Sequence, residues 1–197
     1  MNRMSFVLAL ATGMSAAAAA PAIAQSITGA AGFYFQGNDF EELREGAETL
    51  RVTRDGTLAL GFNVQLGALR GSIAYAGEST VGDDEASGDE ALGTSSILVG
   101  AADLVIRPFP RILFFQPYGI AGGGLKRFDY SWERDRVSDA FPDDATDWTL
   151  HAGAGVDMAL GPLGVMLEVT DYISRDDSGG FSQHDAFAMI GVRLGTF

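Results

Sequence analysis

From Thr57 to Leu66 the chain alternates strictly. Leu58, Leu60, Phe62, Val64 and Leu66 fall on one parity, and Ala59, Gly61, Asn63 and Gln65 on the other. A period of two is the signature of an extended strand with unlike faces. The pattern returns along the chain in eight segments, at about 27–37, 57–67, 70–79, 94–106, 116–128, 148–160, 163–174 and 185–197. Most run for roughly ten to thirteen residues. Soluble strands average about five or six, whereas a tilted strand crossing a bilayer needs about 9–11. A chain built this way is predicted to be all-β.

The connections sort by length. Leu66–Leu69, Arg107–Phe115 and Gly161–Pro162 are short, while 38–56, 80–93, 129–147 and 175–184 are long. Strict alternation of long and short connections places all the long ones at one end of an up-and-down barrel. Eight strands are an even number, so both termini lie at the short-turn end. Charge follows the same division. The formal net charge is −13, and the acidic surplus sits in the long connections, whereas Arg70, Arg107 and Arg111 lie at the opposite end. Within 38–56, EELREGAETLR is compatible with a short helix, or Arg54-Asp55-Gly56 can turn an extension of the strands above the membrane.

Residues 1–24 read as a removable leader. Arg3 is followed by the apolar run Phe6–Leu10 and then by small residues ending Ala22-Ile23-Ala24. That is a basic start, an apolar middle and an A-x-A cleavage site, so the mature domain is expected to span 25–197 and to begin at Gln25. The chain has no Cys, which excludes disulfides and thiolate chemistry. Two His without Cys also argue against a structural zinc site. Past Ala24 no apolar stretch is long enough for a membrane helix. A closed β-barrel is the remaining way for such a chain to span a bilayer.

Residue chemistry sets the expected inner face. Asp103, Asp157, Glu168 and Arg193 share their parity with Gly and Ala, a mixture suited to a narrow lumen where opposite charges pair. An Arg facing lipid at the midplane costs about 2–4 kcal/mol, so Arg193 is expected inside. The four are predicted to form an interior polar network. Asp171 and Lys126 are assigned to the outer face near the long-loop end. Tyr118, Phe128, Tyr130 and Trp148 are expected in interfacial girdles. His151 and Asp157 lie six residues apart on one parity, too far to pair with each other, so each is expected to meet a neighbouring strand.

Candidate chemistry is sparse. DDSGG (Asp176–Gly180) has a superficial likeness to a protease nucleophile loop, but no suitably placed His accompanies it. In GIAGGGLKR, Lys126 lacks the flanking residues of a phosphate-binding loop. GDDEASGDE carries Asp83, Asp84, Glu85, Asp89 and Glu90, weak candidates for a divalent cation, but Thr94 stands where a calcium loop needs its final acid. No cofactor is expected.

These features resemble the small eight-stranded outer-membrane barrels: the membrane domain of outer-membrane protein A, the OmpX-like proteins and the opacity-type surface proteins. QPYGIAGGGL (Gln116–Leu125) resembles a strand that recurs in them, and LEVTDYISR (Leu167–Arg175) is similar to a later one. The resemblance implies an eight-stranded antiparallel up-and-down transmembrane β-barrel in the outer membrane of a Gram-negative cell. It implies that terminal Phe197 is read by the barrel assembly machinery, although the companion position holds Gly195. The expected role is a structural or surface-interaction module with acidic extracellular loops. It would be monomeric, would not be an enzyme, would contact outer-membrane lipid and would bind no nucleic acid. The alternatives are a small pore, or a membrane-embedded lipid-modifying enzyme.

Overall fold

The computed structural model describes residues 26–36, 41–45, 48–83, 91–132, 144–160, 163–175 and 181–195. Ten strands lie in this range: β1 (Ser26–Gln36), β2 (Glu41–Glu45), β3 (Glu48–Arg54), β4 (Thr57–Leu66), β5 (Leu69–Asp83), β6 (Ala91–Ile106), β7 (Phe115–Trp132), β8 (Asp144–Leu160), β9 (Leu163–Arg175) and β10 (Phe181–Gly195). Every pairing is antiparallel. β4 pairs β1, β1 pairs β10, and the order continues through β9, β8, β7 and β6 to β5, which returns to β4. The result is a closed all-β barrel with a wall of eight strands. Closure satisfies every edge of the wall, which an apolar solvent demands.

The remaining two strands settle the 38–56 segment. It is not a helix: β3 extends β4, pairing Val52–Arg54 with Val81–Asp83 of β5 in the register that β4 keeps, and the chain reverses between β2 and β3, which form a hairpin, and not at Arg54-Asp55-Gly56. The long connections are also shorter than the alternation suggests. β5 runs on to Asp83, β6 starts at Ala91, β7 reaches Trp132 and β8 starts at Asp144. Several of the acidic residues therefore sit on strand that continues past the apolar band. Asp84, Glu85, Asp89 and Glu90 lie outside the described residues, as do Phe197 and the leader 1–24, and Asp83 is described only as the end of β5.

The outer face is apolar. Leu58, Leu60, Ile73, Leu104, Leu150, Leu167, Val169, Ile190, Val192 and Leu194 are all about half exposed or more, and each has the parity opposite to the buried polar residues of its strand, except Ser79 beyond the bulge in β5. The inner face holds the buried polar residues, Arg70, Asp103, Lys126, His151, Asp157, Glu168, Asp185 and Arg193 among them. This inversion suits a wall with lipid outside.

The two described tight turns at the short-loop end contrast. Between β4 and β5, Gly67 takes the positive φ of 63°, as a residue without Cβ does readily. Between β6 and β7 the positive φ of 57° falls on Leu113, where a left-handed backbone costs about 1–2 kcal/mol.

Candidate functional site in the barrel interior

Ion pairs fill the lumen at three heights. At the short-turn end, Arg193 Nη1 donates to Asp157 Oδ2 and Arg193 Nε to Thr28 Oγ1 at 3.2 Å. Arg107 reaches the same Asp157 oxygen, and the side chain of Gln65, at 3.4 Å each.

At mid-height Arg70 is the hub. Its Nε donates to Asp103 Oδ2 at 2.6 Å, and its two terminal nitrogens grip Glu168 at 2.5 and 3.2 Å. Asp103 is also bonded to His151 Nε2 and accepts from Ser72 at 3.2 Å. Glu168 accepts from the Tyr118 hydroxyl at 2.7 Å and from Thr170 at 3.1 Å. A buried carboxylate needs this density of donors, because its desolvation is repaid only by close pairing and by hydrogen bonds to its remaining lone pairs.

Near the long-loop end, Lys126 Nζ donates to Asp185, which also accepts from the Tyr34 hydroxyl at 2.6 Å. Around these three residues the lumen turns aromatic. Tyr34, Phe187, Tyr172 and His151 form a chain of ring contacts with centroids 4.9–5.5 Å apart. Higher still, the Arg54 guanidinium lies 4.3 Å from the Phe128 ring centroid and donates to the Tyr130 hydroxyl at 2.6 Å.

Two glycines make the mid-height cluster possible. In the ladder, Asp103, Gly122 and His151 stand side by side on β6, β7 and β8. A Cβ at Gly122 would lie 2.9 Å from His151 Cε1 and collide with the carbonyl of Ala102. Tyr118, Gly155 and Glu168 form a second such row on β7, β8 and β9. A Cβ at Gly155 would sit 2.5 Å from the tip of the Tyr118 ring. In each row the missing side chain lets residues two strands apart touch.

The structure brings the four sequence candidates into two groups: Asp157 with Arg193, and Asp103 with Glu168 through Arg70. Reasoning from sequence missed Arg70, although it shares parity with Ser72 and Ala74. It also misplaced Lys126, which is buried in the lumen and not on the outer face. The inner parity of β7 also carries Ile120 and Phe128, so apolar character pointed the wrong way there. Tyr118, Phe128 and Tyr130 are likewise interior, and only Trp148 of the expected girdle residues faces outward, 76% exposed.

A cavity of about 20 Å³ remains at mid-height beside Asn63, Glu168 and Tyr172, room for about one water. On the lipid-facing side near the long-loop end, His184 Nδ1 and Asp171 Oδ2 are 2.7 Å apart, both side chains about 40% exposed. Arg127 pairs with Asp129 and Asp144 at 3.1 and 2.6 Å on the same outer surface. Among the described residues, no group of three or more His, Cys, Asp or Glu is arranged to hold a metal ion.

No protein-family model matches the sequence, and no curated protein matches it either. Among solved structures, the chain is similar to Neisserial surface protein A, at 13% identity and a TM-score of 0.47, over 86% of this chain and 95% of that one. It is similar to Ail, the attachment invasion locus protein of Yersinia pestis, at 16% identity and a TM-score of 0.42, over 87% and 99%. A major outer membrane protein from Thermus thermophilus is similar at 18% identity and a TM-score of 0.44, over 86% and 97%.

Proposed function

We propose that this protein is an outer-membrane β-barrel of a Gram-negative cell. It serves as a structural or surface-interaction module, with its strand extensions and acidic connections outside the cell. The leader 1–24 is removed on export, and the mature chain starts at Gln25. The short turns face the periplasm. The observation that carries this reading is the pairing of an apolar outer wall with a lumen blocked by Arg193–Asp157, by Arg70 with Asp103 and Glu168, and by Lys126–Asp185. An eight-stranded barrel has an interior that side chains just fill, and here opposite charges lock it. The module therefore works by what it displays. Planar-bilayer recording of the refolded barrel tests this against the pore reading. No stepwise conductance is expected, and discrete, ohmic single-channel steps would favour a pore.

One observation favours a second reading. A carboxylate on His Nδ1 is the arrangement that orients an imidazole as a general base, and the Asp171–His184 pair places it on the lipid side. An enzyme acting on lipid esters would release free fatty acid from vesicles holding the refolded barrel. Under the structural reading, lipid composition stays unchanged.

A further inference from the structure

The connection between β6 and β7 is chemically unlike a turn bathed in water. Its sequence is Arg107-Pro-Phe-Pro-Arg-Ile-Leu-Phe, leading into Phe115. Phe109 is 59% exposed, Ile112 61% and Leu113 83%. The segment is nonetheless built firmly. Ile112 and Phe115 exchange both backbone hydrogen bonds, at 2.9 and 3.0 Å, around the two-residue tip Leu113–Phe114. The Phe114 carbonyl accepts from the amide of Ala159 on β8 at 3.0 Å, and the Phe109 carbonyl from the Gln116 side chain at 2.8 Å.

Such a tip normally carries Gly, Asn or Asp, because its backbone demands positive φ. The turn between β4 and β5 obeys that rule with Gly67. Here an exposed Leu occupies the strained position, so neither backbone ease nor burial within the barrel accounts for its presence.

We infer that the Phe109–Phe115 tip is an interfacial anchor that inserts into the phospholipid leaflet on the short-turn side and prefers anionic headgroups. This rests on the orientation proposed above. Two features select lipid as the occupant. The exposed side chains continue the lipid-facing band, through Ile106 on one flank and Leu160 and Leu163 on the neighbouring strands. No acidic residue lies between Asp103 and Asp129, so the charge carried by the tip itself is the cation Arg111, and a cation beside apolar side chains suits a phosphate-bearing interface. Arg107 also leans into the lumen toward Asp157 at 3.4 Å, fixing the root of the segment to the barrel.

The test uses the mature barrel refolded into phosphatidylcholine vesicles, with and without phosphatidylglycerol. One form carries Phe109→Trp with Trp132→Phe and Trp148→Phe. A reference form keeps Trp148 alone, because that residue faces outward on the barrel wall. Emission is read with acyl-brominated lipid and with aqueous acrylamide as quenchers. The loop probe is expected to emit at shorter wavelength than free Trp and to be quenched severalfold more by brominated lipid than by acrylamide. Adding Leu113→Asn, which suits positive φ and so preserves the turn, should roughly halve the lipid quenching. Arg111→Gln should abolish any gain from phosphatidylglycerol. A water-quenched loop probe beside a lipid-quenched Trp148 overturns the anchor and leaves the barrel reading intact. A loop probe shielded from both quenchers overturns it in favour of contact with another protein copy. Acrylamide quenching of both probes means that the barrel does not insert, and both the anchor and the membrane-barrel reading fall with it.

Discussion

The Tyr118 hydroxyl donates to Glu168 Oε2 at 2.7 Å across Gly155, which stands between them on β8. Neither residue is on an adjacent strand of the other. The contact exists because the intervening position has no side chain. Gly155→Ala is therefore expected to be worse than Tyr118→Phe. The added Cβ meets the Tyr118 ring and the carbonyl of Leu167, and such overpacking costs about 1–3 kcal/mol. Removing only the hydroxyl leaves Glu168 held by Arg70 and Thr170, at a cost of about 1 kcal/mol. Urea unfolding of the vesicle-refolded barrel ranks the two, and equal losses would mean that Tyr118 moves aside freely.

Arg193→Leu removes one of two cations on Asp157. The other, Arg107, keeps a side chain about one-third exposed and stands 3.4 Å away, so it compensates only in part. Breaking a buried pair costs about 3–5 kcal/mol because the remaining charge is stranded, and the lower end of that range is expected. An Arg193→Leu barrel that unfolds at the wild-type urea concentration would show that Arg107 alone suffices.

Lys126 and Asp185 allow a sharper test, since both side chains are fully buried. Lys126→Met strands the Asp185 carboxylate with Tyr34 as its one remaining side-chain donor among the described residues, and a loss of about 3 kcal/mol is expected. Combining it with Asp185→Leu should recover most of that loss, because an apolar pair of similar volume carries no desolvation penalty. A double variant as unstable as the single one would point to packing around Phe128 and not to charge.

How much of this was legible depended on where along the barrel a residue sits. At the short-turn end and mid-height, hydrophobic outer residues alternate with polar or small inner ones, so the strands of Asn63, Glu168 and Arg193 could be oriented from parity alone. Nearer the long-loop end the lumen is lined by Tyr34, Phe128, Tyr172 and Phe187, and inner and outer faces become equally apolar. Alternation then loses its sign, which is why Lys126, Phe128 and Tyr130 read as outward; Tyr118, lower on β7, shares its inner parity with the apolar Ile120 and is misread for the same reason. Partner identity was illegible for another reason. The Arg70–Glu168 contact joins residues 98 positions apart, and it depends on strand register and on the diagonal reach of long side chains. The one signal available was the placement of glycines at inward positions, Gly122 and Gly155, which marks where a neighbour needs room.

The last strand separates two roles for the end of the chain. β10 pairs with β1 as far as Gly195 opposite Ser26, and with β9 as far as Leu194 opposite Leu163. The wall is thus already closed by the described pairings, and Phe197 lies outside the described residues. Deleting Phe197 removes no described ladder pair, so refolding into detergent and its urea midpoint should match the full-length mature chain. In cells the outcome is expected to differ. If the terminal aromatic is read during assembly, the truncated chain should accumulate unassembled, with severalfold less heat-modifiable barrel in the outer-membrane fraction. Comparing the two readouts on the same variant decides the matter. A parallel loss in detergent would mean that Phe197 packs as part of the barrel, and no loss in either would mean that the assembly machinery reads another part of β10.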